Sequence, residues 1–529
     1  MEDTSLYLRL DVQIEPLVNH WHAYPFTIAP ATAAMMVANY QLKVMKSYLQ
    51  MPMAHVTALK NPDMAGGPFI NYEGMRLGEI RILKDAAEQK QAALIQFAEA
   101  VDELTGFLQD KAKGLPLEEL YTEIPEALRG YVELVYDLED RPSIRFIEGL
   151  LYAGPYYDRK LQGFSLALID RDDRPFIFST PRLKNAGNVQ LAIPFDDPRV
   201  DLLNRLKTVP LPYSTIKEQL GIPDEDDDTF RSFLTSARSP ERPLFDGDGV
   251  RVRYFGHACV LLETKDVSIL IDPLISYKYD TDIARFTYAD LPEKIDYVLI
   301  THTHHDHIVL ETLLQLRARI RNIIVPRSGS GLLHDPSMKL ILKNIGFHQV
   351  IEIDDMEKIA VEGGYIMGIP FFGEHCDLNI RSKSAYQVRL GKASFLLVAD
   401  SSCLNPEVYR NVQKLTGDID TLFVGMECTG APMSWSYGSF FSRPPERQID
   451  QVRRSKGSDS RRAFMMISIF KIRQVFLYAM GSEPWLNYYM GLQHAHSSAT
   501  DTECEDLAAS CSKEKVSVER LFAIKELHF

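Results

Sequence analysis

A short run of histidine and aspartate side chains, directly after a predicted strand, constrains this chain more than any other sequence feature. The mainly apolar strand Asp296–Ile300 leads into Thr301–His307, which reads THTHHDH. The ligand-type residues follow the spacing H-x-H-x-D-H: His302, His304, Asp306 and His307. A strand that ends in such a loop places these side chains at a sheet edge, where they can converge without disturbing the core. The first two histidines alternate across one extended residue and can reach one metal, while the aspartate and the last histidine can face a second, so the sequence predicts a two-metal site.

The chain beyond Gly249 is rich in short β-type runs separated by helical stretches such as Glu311–Arg321. The predicted strands are Val250–Phe255, Ala258–Thr264, Val267–Ile271, Tyr297–Ile300, Asn322–Val325, Tyr365–Ile369, Tyr386–Leu390, Phe395–Ala399, Thr421–Val424 and Val475–Ala479. Repeated strands with interposed helices predict two sheets covered by helices, an αββα sandwich. We therefore expect a catalytic domain of the α/β (α+β) class over residues 249–529.

The segment before this region, Ser236–Gly249, is interpreted as a linker because it combines prolines, glycines and charges without apolar periodicity. Residues 1–240 mix helices and strands. An amphipathic helix is predicted over Lys84–Asp110, and strands are predicted over Ser165–Ile169 and Val189–Ile193. These residues carry no catalytic motif. We interpret them as an N-terminal mixed α/β domain for dimerisation, with selection of the substrate or of its carrier as the alternative.

The H-x-H-x-D-H run is also the signature of the metallo-β-lactamase superfamily, which the C-terminal half resembles. An upstream block, Gly256–Cys259 followed by Ile271–Pro273, resembles the first conserved block of that superfamily. The resemblance implies that Asp272 orients a ligand histidine from outside the metal site, as such carboxylates do. We interpret His257 as a structural turn residue in preference to a ligand.

Members of this superfamily supply three further ligands, each at the end of a later strand. Asp400, which ends the strand Ser394–Ala399, fits the aspartate that bridges both metals. The third ligand stays open between the neighbours Glu374 and His375, because a zinc hydrolase of the superfamily would use the histidine. The last ligand, a histidine on the second metal, is missing after the final strand. Glu483 lies there and is a possible ligand, whereas the next histidines lie well past the strand: His494 and His496.

If Glu374 is the third ligand, the site holds three imidazoles and three carboxylates, and hard oxygen ligands favour iron or manganese over zinc. The whole chain resembles the diiron β-hydroxylases of nonribosomal peptide pathways, of the chloramphenicol-pathway type. The stretches that carry this resemblance are Gly373–Asp377 (GEHCD), Met426–Pro432 (MECTGAP) and Tyr478–Trp485 (YAMGSEPW). The resemblance implies two iron ions, O₂ as co-substrate and an amino acid held as a thioester on a peptidyl carrier domain. It also implies that Glu374 is both a metal ligand and a catalytic residue.

The main alternative is a dizinc hydrolase of the same fold that acts on a thioester, a lactone or a phosphodiester, with metal-bound hydroxide as its nucleophile. The missing last histidine and the glutamate at position 374 disfavour this alternative. A non-enzymatic scaffold is disfavoured by the intact motif together with Asp400. Zinc in a colourless protein would indicate the hydrolase.

The composition excludes several kinds of partner. A formal net charge of −14 argues against general binding to nucleic acids or anionic membranes. No apolar run approaches the roughly 20 residues needed to span a bilayer, and the acidic start Met1–Thr4 lacks a signal-peptide pattern. A cytoplasmic protein with reduced cysteines is therefore expected.

The remaining partners implied by the resemblance are the aminoacyl-loaded carrier domain, an electron donor and a second copy of the chain in a homodimer. Two basic clusters are candidates for docking the acidic carrier or the phosphate of its arm. They are Arg317, Arg319 and Arg321, and Arg453, Arg454, Lys456, Arg461 and Arg462. The aromatic loop Trp435–Phe441 is a candidate wall of the amino-acid pocket, although ordinary packing explains it equally well.

Overall fold

The computed structural model describes residues 5–239, 244–491 and 498–529. Residues 240–243 of the predicted linker lie outside the described residues. Two seven-stranded sheets lie in the half of the chain that begins with Val250, and the smaller four-stranded and three-stranded sheets lie before it. Within the described residues, no helix is both long and apolar enough to cross a membrane.

The two large sheets pack face to face. In spatial order, the strands of the first sheet are Val350–Ile353, Ile320–Pro326, Ile295–Leu299, Ser268–Ile271, Val260–Glu263, Arg251–Tyr254 and Lys525–His528. Those of the second sheet are Lys358–Val361, Gly364–Ile369, Ala385–Leu390, Ala393–Leu397, Thr421–Gly425, Gln474–Tyr478 and Ser517–Arg520. Leu299 of the first sheet and Phe395 and Phe423 of the second belong to one buried cluster between them. Near-continuous runs of apolar residues suit such strands because both of their faces are covered.

Helices cover the outer faces of both sheets. Leu310–Leu316 and Met338–Asn344 contribute Leu313 and Ile341 to the core outside the first sheet. The second sheet is covered by Pro406–Thr416, Ser460–Phe470 and Ser498–Lys513. Shorter elements of this half are the strand pair Ala431–Pro432 and Arg454–Ser455 and the helices Met433–Tyr437, Arg447–Val452 and Asn487–Met490. The predicted αββα sandwich is confirmed.

The N-terminal region mixes small sheets with helices, as predicted. Its four-stranded sheet has the order Trp21–His22, Val12–Val18, Gln162–Leu168 and Asn188–Leu191, and its three-stranded sheet has the order Leu211–Pro212, Ser5–Leu8 and Leu234–Thr235. A hairpin joins Val132–Tyr136 to Pro142–Phe146. The helices are Pro25–Ile28, Pro30–Met36, the π-helix Val37–Gln41, Leu42–Gln50, Pro52–Leu59, Leu77–Lys90, Ala92–Lys111, Glu148–Ala153, Pro198–Arg205, Tyr213–Leu220 and Asp227–Ser232.

The helix predicted over Lys84–Asp110 is two helices. They meet at Gln91, which leaves the helical conformation with φ −111° and ψ 22°. The Gln91 side chain is buried and accepts a hydrogen bond from the amide of Asn19 at 2.7 Å. The amphipathic pattern continues across this break, so the sequence alone does not reveal it.

The N-terminal region packs against the sandwich through a continuous core. One buried cluster contains Val12 and Leu166 of the N-terminal sheet together with Val298 and Leu313 of the sandwich. Arg317 crosses the boundary as well, since its guanidinium group donates to Asp201 at 2.9 Å and to the carbonyl of Phe195. The packing places the N-terminal region beside the loop that carries the H-x-H-x-D-H motif.

Candidate metal centre

The predicted ligand side chains lie in loops at one edge of the sandwich. The motif follows the strand Ile295–Leu299, the loop that contains Glu374 follows Gly364–Ile369, and Asp400 follows Ala393–Leu397. The last two strands run in the same direction within their sheet, because each pairs antiparallel with the strand Ala385–Leu390 between them. Their ends therefore meet at one edge, as the sequence predicted for the motif.

The six predicted ligands converge there; His302, Asp306, His307 and Glu374 are buried, and His304 and Asp400 are half-buried. The carboxylate of Asp400 lies 3.0 Å from Nε2 of His307 and 3.6 Å from Nε2 of His302. The Asp306 carboxylate lies 3.8 Å from His307 Nε2. On the other side of the cluster, Nδ1 of His304 lies 3.0 Å from the Glu374 carboxylate. The His302 and His304 rings have their centres 4.9 Å apart, so the two halves of the cluster are continuous.

The electrostatics of this cluster fit bound cations. Among the residues that the structure describes, no lysine or arginine nitrogen lies within 4 Å of the carboxylates of Asp306, Glu374 or Asp400. Nε2 of His302 is fully buried and makes no hydrogen bond, and Nε2 of His307, also fully buried, faces the Asp400 carboxylate without the geometry of a hydrogen bond. Buried carboxylates without a matching cation and imidazole nitrogens without a donor are both costly. A pair of metal ions would satisfy both.

The pKa values of the two central histidines shift in opposite directions. Burial would lower the pKa of His307, but the carboxylates of Asp306, Asp400 and Asp272 hold it well above its usual value. Burial lowers the pKa of His302 well below its usual value, and the His307 ring beside it acts in the same direction. Burial also raises the pKa of the Glu374 carboxyl group, although His304 partly offsets that effect. A neutral imidazole is the form that binds a metal.

Two groups outside the cluster orient its side chains. Asp272 accepts hydrogen bonds from Nδ1 of His307 at 2.8 Å and from the Thr301 amide at 2.7 Å. The bond from Nδ1 leaves Nε2 of His307 facing Asp400, which is the role expected for Asp272. His257, interpreted as a turn residue, has φ 52° and places its Nε2 3.1 Å from the Asp306 carboxylate. His257 is thus more than a turn residue, because it also contacts a predicted ligand.

The neighbours Glu374 and His375 point to different partners. The carboxylate of Glu374 faces His304, whereas Nδ1 of His375 lies 2.7 Å from the Tyr437 hydroxyl. The same hydroxyl lies 3.2 Å from Nε2 of His304. The Glu374 carboxylate thus faces a ligand histidine, whereas His375 faces a tyrosine hydroxyl. This geometry favours Glu374 as the third ligand.

Glu483 bonds through one carboxylate oxygen to groups outside the cluster, while its other oxygen, Oε2, is buried without a hydrogen-bond partner. Its carboxylate is buried and accepts a hydrogen bond from the Tyr254 hydroxyl at 2.6 Å and one from the Ala523 amide at 3.3 Å. These contacts favour a structural role beneath the strand Arg251–Tyr254. The other candidates for the last ligand, His494 and His496, lie outside the described residues.

Comparison with known proteins adds a family to this geometry. Residues 7–238 match the family of the diiron non-heme β-hydroxylase N-terminal domain, and residues 251–427 match the β-lactamase superfamily domain. The chain is 34% identical over 505 residues to the 4-amino-L-phenylalanyl-(CmlP peptidyl carrier protein) 3-hydroxylase of Streptomyces venezuelae, which covers 94% of this chain and 95% of that enzyme. The chain belongs to the diiron non-heme β-hydroxylases.

The three-dimensional comparison agrees. The crystal structure of CmlA, a diiron β-hydroxylase from Streptomyces venezuelae, matches with a TM-score of 0.93 at 33% identity and covers 99% of both chains. A UPF0173 protein of Pyrococcus abyssi is 48% identical over 126 residues, which are 24% of this chain and 50% of that protein. The predicted resemblance to the diiron β-hydroxylases, and with it the enzyme class, is confirmed.

Several residues of this β-hydroxylase near the centre were not identified from the sequence. Tyr437 lies in the aromatic loop that the sequence offered as a wall of the amino-acid pocket, but its contact with the metal centre was not predicted: its hydroxyl contacts two histidines of the site. In the same loop, the Trp435 ring lies 5.3 Å from that of His305, and its indole nitrogen donates to the Gly66 carbonyl at 2.9 Å. The aromatic loop therefore connects the motif loop to the N-terminal region.

The basic clusters predicted as docking surfaces are largely turned inward. Arg319 donates to the carbonyls of Leu291 and Pro292, and Arg317 is buried at the boundary with the N-terminal region. Arg453 and Arg454 also donate to backbone carbonyls. These four guanidinium groups are not free cations, because they bind carbonyls that loops leave without a partner. Arg321 is exposed, so docking of the carrier stays a prediction for the exposed members of both clusters. Lys456 and Arg461 remain exposed.

Proposed function

We propose that this β-hydroxylase uses two iron ions and O₂ to hydroxylate the β-carbon of an amino acid that is held as a thioester on a peptidyl carrier domain of a nonribosomal peptide synthetase. The observation that carries the proposal is the buried set of three imidazoles and three carboxylates, in which Glu374 lies 3.0 Å from His304. The relative in Streptomyces venezuelae supports it, since its name specifies a carrier-bound amino acid and hydroxylation at carbon 3.

The proposed ligands divide between two irons. The first iron would be held by His302, His304 and Glu374, the second by Asp306 and His307, and Asp400 would contact both. A mixture of imidazoles with hard carboxylate oxygens suits iron. When bound, the iron pair would activate O₂ to oxidise a C–H bond that has no acidic proton.

The protein's own task is to hold these ligands in the correct form. Asp272 accepts a hydrogen bond from Nδ1–H of His307 and so keeps the Nε2 lone pair directed at the centre. His257 contacts the Asp306 carboxylate and limits its rotation. Glu374 is the proposed catalytic ligand, because its carboxylate faces His304 at 3.0 Å and would hold an iron ion together with that histidine.

The N-terminal region is proposed to serve dimerisation or carrier selection. Its Phe26 packs against Phe440 with ring centres 5.0 Å apart, and its Phe178 packs against His305 of the motif loop at 4.4 Å. Aromatic side chains from both regions thus border the loop that carries the ligands. We propose that they form one wall of the amino-acid pocket and exclude water from it. An external electron donor completes the proposed reaction.

A dizinc hydrolase is the second candidate, and one observation favours it. Nε2 of His375 is buried without a hydrogen-bond partner, and the His375 ring lies 4.2 Å from that of His304. A rotation of His375 toward the centre would give the third ligand of a zinc hydrolase, although the last histidine of that ligand set would still be missing. The family to which the chain belongs weighs against this alternative.

Metal analysis of the purified protein, combined with two variants, tests the proposal. We expect about two irons per chain and near-ultraviolet absorption that is bleached by reduction. Glu374→Ala should lose hydroxylation of aminoacyl-carrier substrates, while His375→Ala, its neighbour and control, should keep it. Two zincs after expression with added iron, or an active Glu374→Ala beside an inactive His375→Ala, would overturn the assignment.

A further inference from the structure

The turn that carries Glu374 has an unusual backbone. Four consecutive residues other than glycine, Glu374 to Asp377, have φ values between 48° and 58°, and Gly373 before them has φ 80°. The left-handed region is disfavoured for residues with a Cβ atom because of steric contacts with the backbone, and it rarely extends over several residues. Such a turn persists only when its surroundings hold it in place.

One short segment supplies most of that support. From Arg453–Lys456, the guanidinium group of Arg453 donates to the Cys376 carbonyl through Nε at 3.0 Å and through Nη2 at 2.7 Å. The carbonyl of Lys456 accepts a hydrogen bond from the Glu374 amide at 3.2 Å. The hydroxyl of Ser455 lies 3.2 Å from the Cys376 sulfur. The segment therefore contacts the turn at its start and at its middle.

Arg453 makes the strongest of these contacts. Its two N–H groups reach a single carbonyl oxygen in a fork, and only arginine presents two such donors in a rigid plane. A second cation, Lys383, donates to the Gly373 carbonyl at 3.2 Å, just before the first residue of the turn. The Cys376 carbonyl belongs to a buried residue, so it depends on a protein donor.

We propose that Arg453 is a positioning residue that holds the left-handed turn and thereby fixes where the Glu374 carboxylate meets His304. The inference rests on the proposed function, in which Glu374 is an iron ligand. The proposal gives a role to one residue of the basic cluster that was a candidate for docking the carrier domain. It also explains why the segment from Met426 to Lys456 returns to the site: this segment brings Tyr437 to His375 and Arg453 to Cys376.

Arg454 offers a matched control. It is the next residue, is half-buried like Arg453, and donates through Nε to the Thr429 carbonyl at 2.8 Å. It therefore makes the same kind of contact, but to a turn that carries none of the proposed ligands. Arg453→Gln removes a guanidinium group from the Cys376 carbonyl, and Arg454→Gln removes one from the carbonyls of Thr429 and Gly430.

The experiment measures iron binding and the Mössbauer spectrum of full-length wild type, Arg453→Gln and Arg454→Gln. We expect Arg453→Gln to bind one of its two irons about 10-fold or more weakly, the range seen when groups that orient ligands are removed. Its spectrum should change for that iron alone, and Arg454→Gln should match the wild type in both measurements. Arg453→Lys, which keeps the charge but not the fork, should be intermediate.

Two results separate the possible failures. If Arg453→Gln binds two irons with the wild-type affinity and spectrum, the positioning role is overturned while the proposed function stands. If the wild type binds no iron, the proposed function fails first. If Arg453→Gln does not fold, the Arg453→Lys spectrum decides, and an unchanged spectrum overturns the inference.

Discussion

Within the described part of the chain, two buried clusters combine histidine and carboxylate side chains, and they balance their charges differently. Glu15, His22 and Glu311 place ligand-type atoms within 4.8 Å of one another, as His302, His307 and Asp400 also do. Distances alone therefore mark both clusters as possible metal sites. The difference lies in the neighbours of their carboxylates.

The first cluster is neutralised by arginines. Arg182 donates to both oxygens of Glu15 at 3.0 Å, and Arg174 pairs with Glu311 at 2.9 Å. His22 Nε2 lies 2.8 Å from the Tyr489 hydroxyl, so both of its ring nitrogens are engaged. This cluster is a complete ion network that joins the N-terminal region to the sandwich, and it leaves no role for a metal.

The cluster at the sandwich edge has no such cation among the described residues. Its carboxylates face only imidazoles, and the Nε2 atoms of His302 and His307 make no hydrogen bond. The pKa values show the contrast. Burial would raise the pKa of Glu15, but Arg182, His22 and Arg174 bring it well below its usual value. Burial leaves the pKa of Glu374 raised, whereas burial of Asp306 is outweighed by the His307 and His257 rings, which hold its pKa well below the usual value. The comparison teaches that the countercharge, more than the ligand types, separates a structural network from a metal site.

Replacing Glu374 by glutamine gives the largest expected effect. The variant should lose hydroxylation and at least one bound iron, because an amide is a poor ligand for iron. Without metal, the substitution should be stabilising. The metal-free variant should have a higher free energy of unfolding than the metal-free wild type at pH 7.5, since it removes a buried charge on a group whose pKa is raised.

The pH dependence sharpens this expectation. Ionisation of Glu374 lowers the free energy of unfolding only above the pKa of this group in the unfolded chain, about 4.3. The loss reaches its full size above the raised pKa of the group in the folded protein. The gain of Glu374→Gln over the metal-free wild type should therefore vanish near pH 4. Chemical unfolding after treatment with a chelator measures it. A metal-free variant less stable than the wild type at pH 7.5 would contradict the view that the carboxylate is uncompensated.

Glu15→Gln is the matched substitution in the other cluster, and it should lower the free energy of unfolding. Removing one partner of a buried ion pair costs about 3–5 kcal/mol, because it leaves the arginine charge uncompensated. The loss should appear with and without iron at pH 7. Since the folded pKa of Glu15 is lowered, its contribution is present above about pH 4.3 and is lost as the pH falls further. Unfolding curves at pH 7 and pH 4 test this, and a loss seen only in the iron-loaded protein would place Glu15 at a metal site instead.

The fold and the core of the candidate site were predictable because they follow local patterns. The motif Thr301–His307 and Asp400 directly follow strands, so the strand pattern places them at a sheet edge. Glu374 was distinguishable from His375 only through the resemblance to the diiron β-hydroxylases, since both neighbours are ligand types. The backbone of their turn, with its left-handed residues, then directs the two side chains to different partners.

The contacts that hold the ligands were not predictable. Tyr437 and Arg453 are distant in sequence from the residues they contact, and no periodic pattern links them. The sequence of Arg453 and Arg454 indicated an exposed basic patch, because charge clusters are usually solvated. Which carbonyls a loop leaves without a partner depends on the folded backbone, so the inward orientation of these arginines appears only in the structure.

The smallest predicted effect compares two left-handed residues, one inside the centre and one far from it. Asp377 has φ 58° in the turn of Glu374, and Lys515 has φ 61° just after the helix Ser498–Lys513. Both side chains are exposed. Glycine relieves the steric cost of this conformation but adds freedom to the unfolded chain, so each substitution should raise the free energy of unfolding by about 0.5–1 kcal/mol.

The two glycine variants should differ in their iron centres. Lys515→Gly should leave iron affinity and the Mössbauer spectrum unchanged, because its helix end carries no ligand. Asp377→Gly loosens the turn that positions Glu374, so we expect a broader spectrum for one iron and weaker coupling of O₂ consumption to hydroxylation, despite the higher stability. Thermal unfolding and product yield per O₂ consumed measure the two effects. If Asp377→Gly keeps a wild-type spectrum and yield, the rigidity of the turn is not what the centre requires, and the contacts from Arg453, Lys456 and Lys383 determine the position of Glu374.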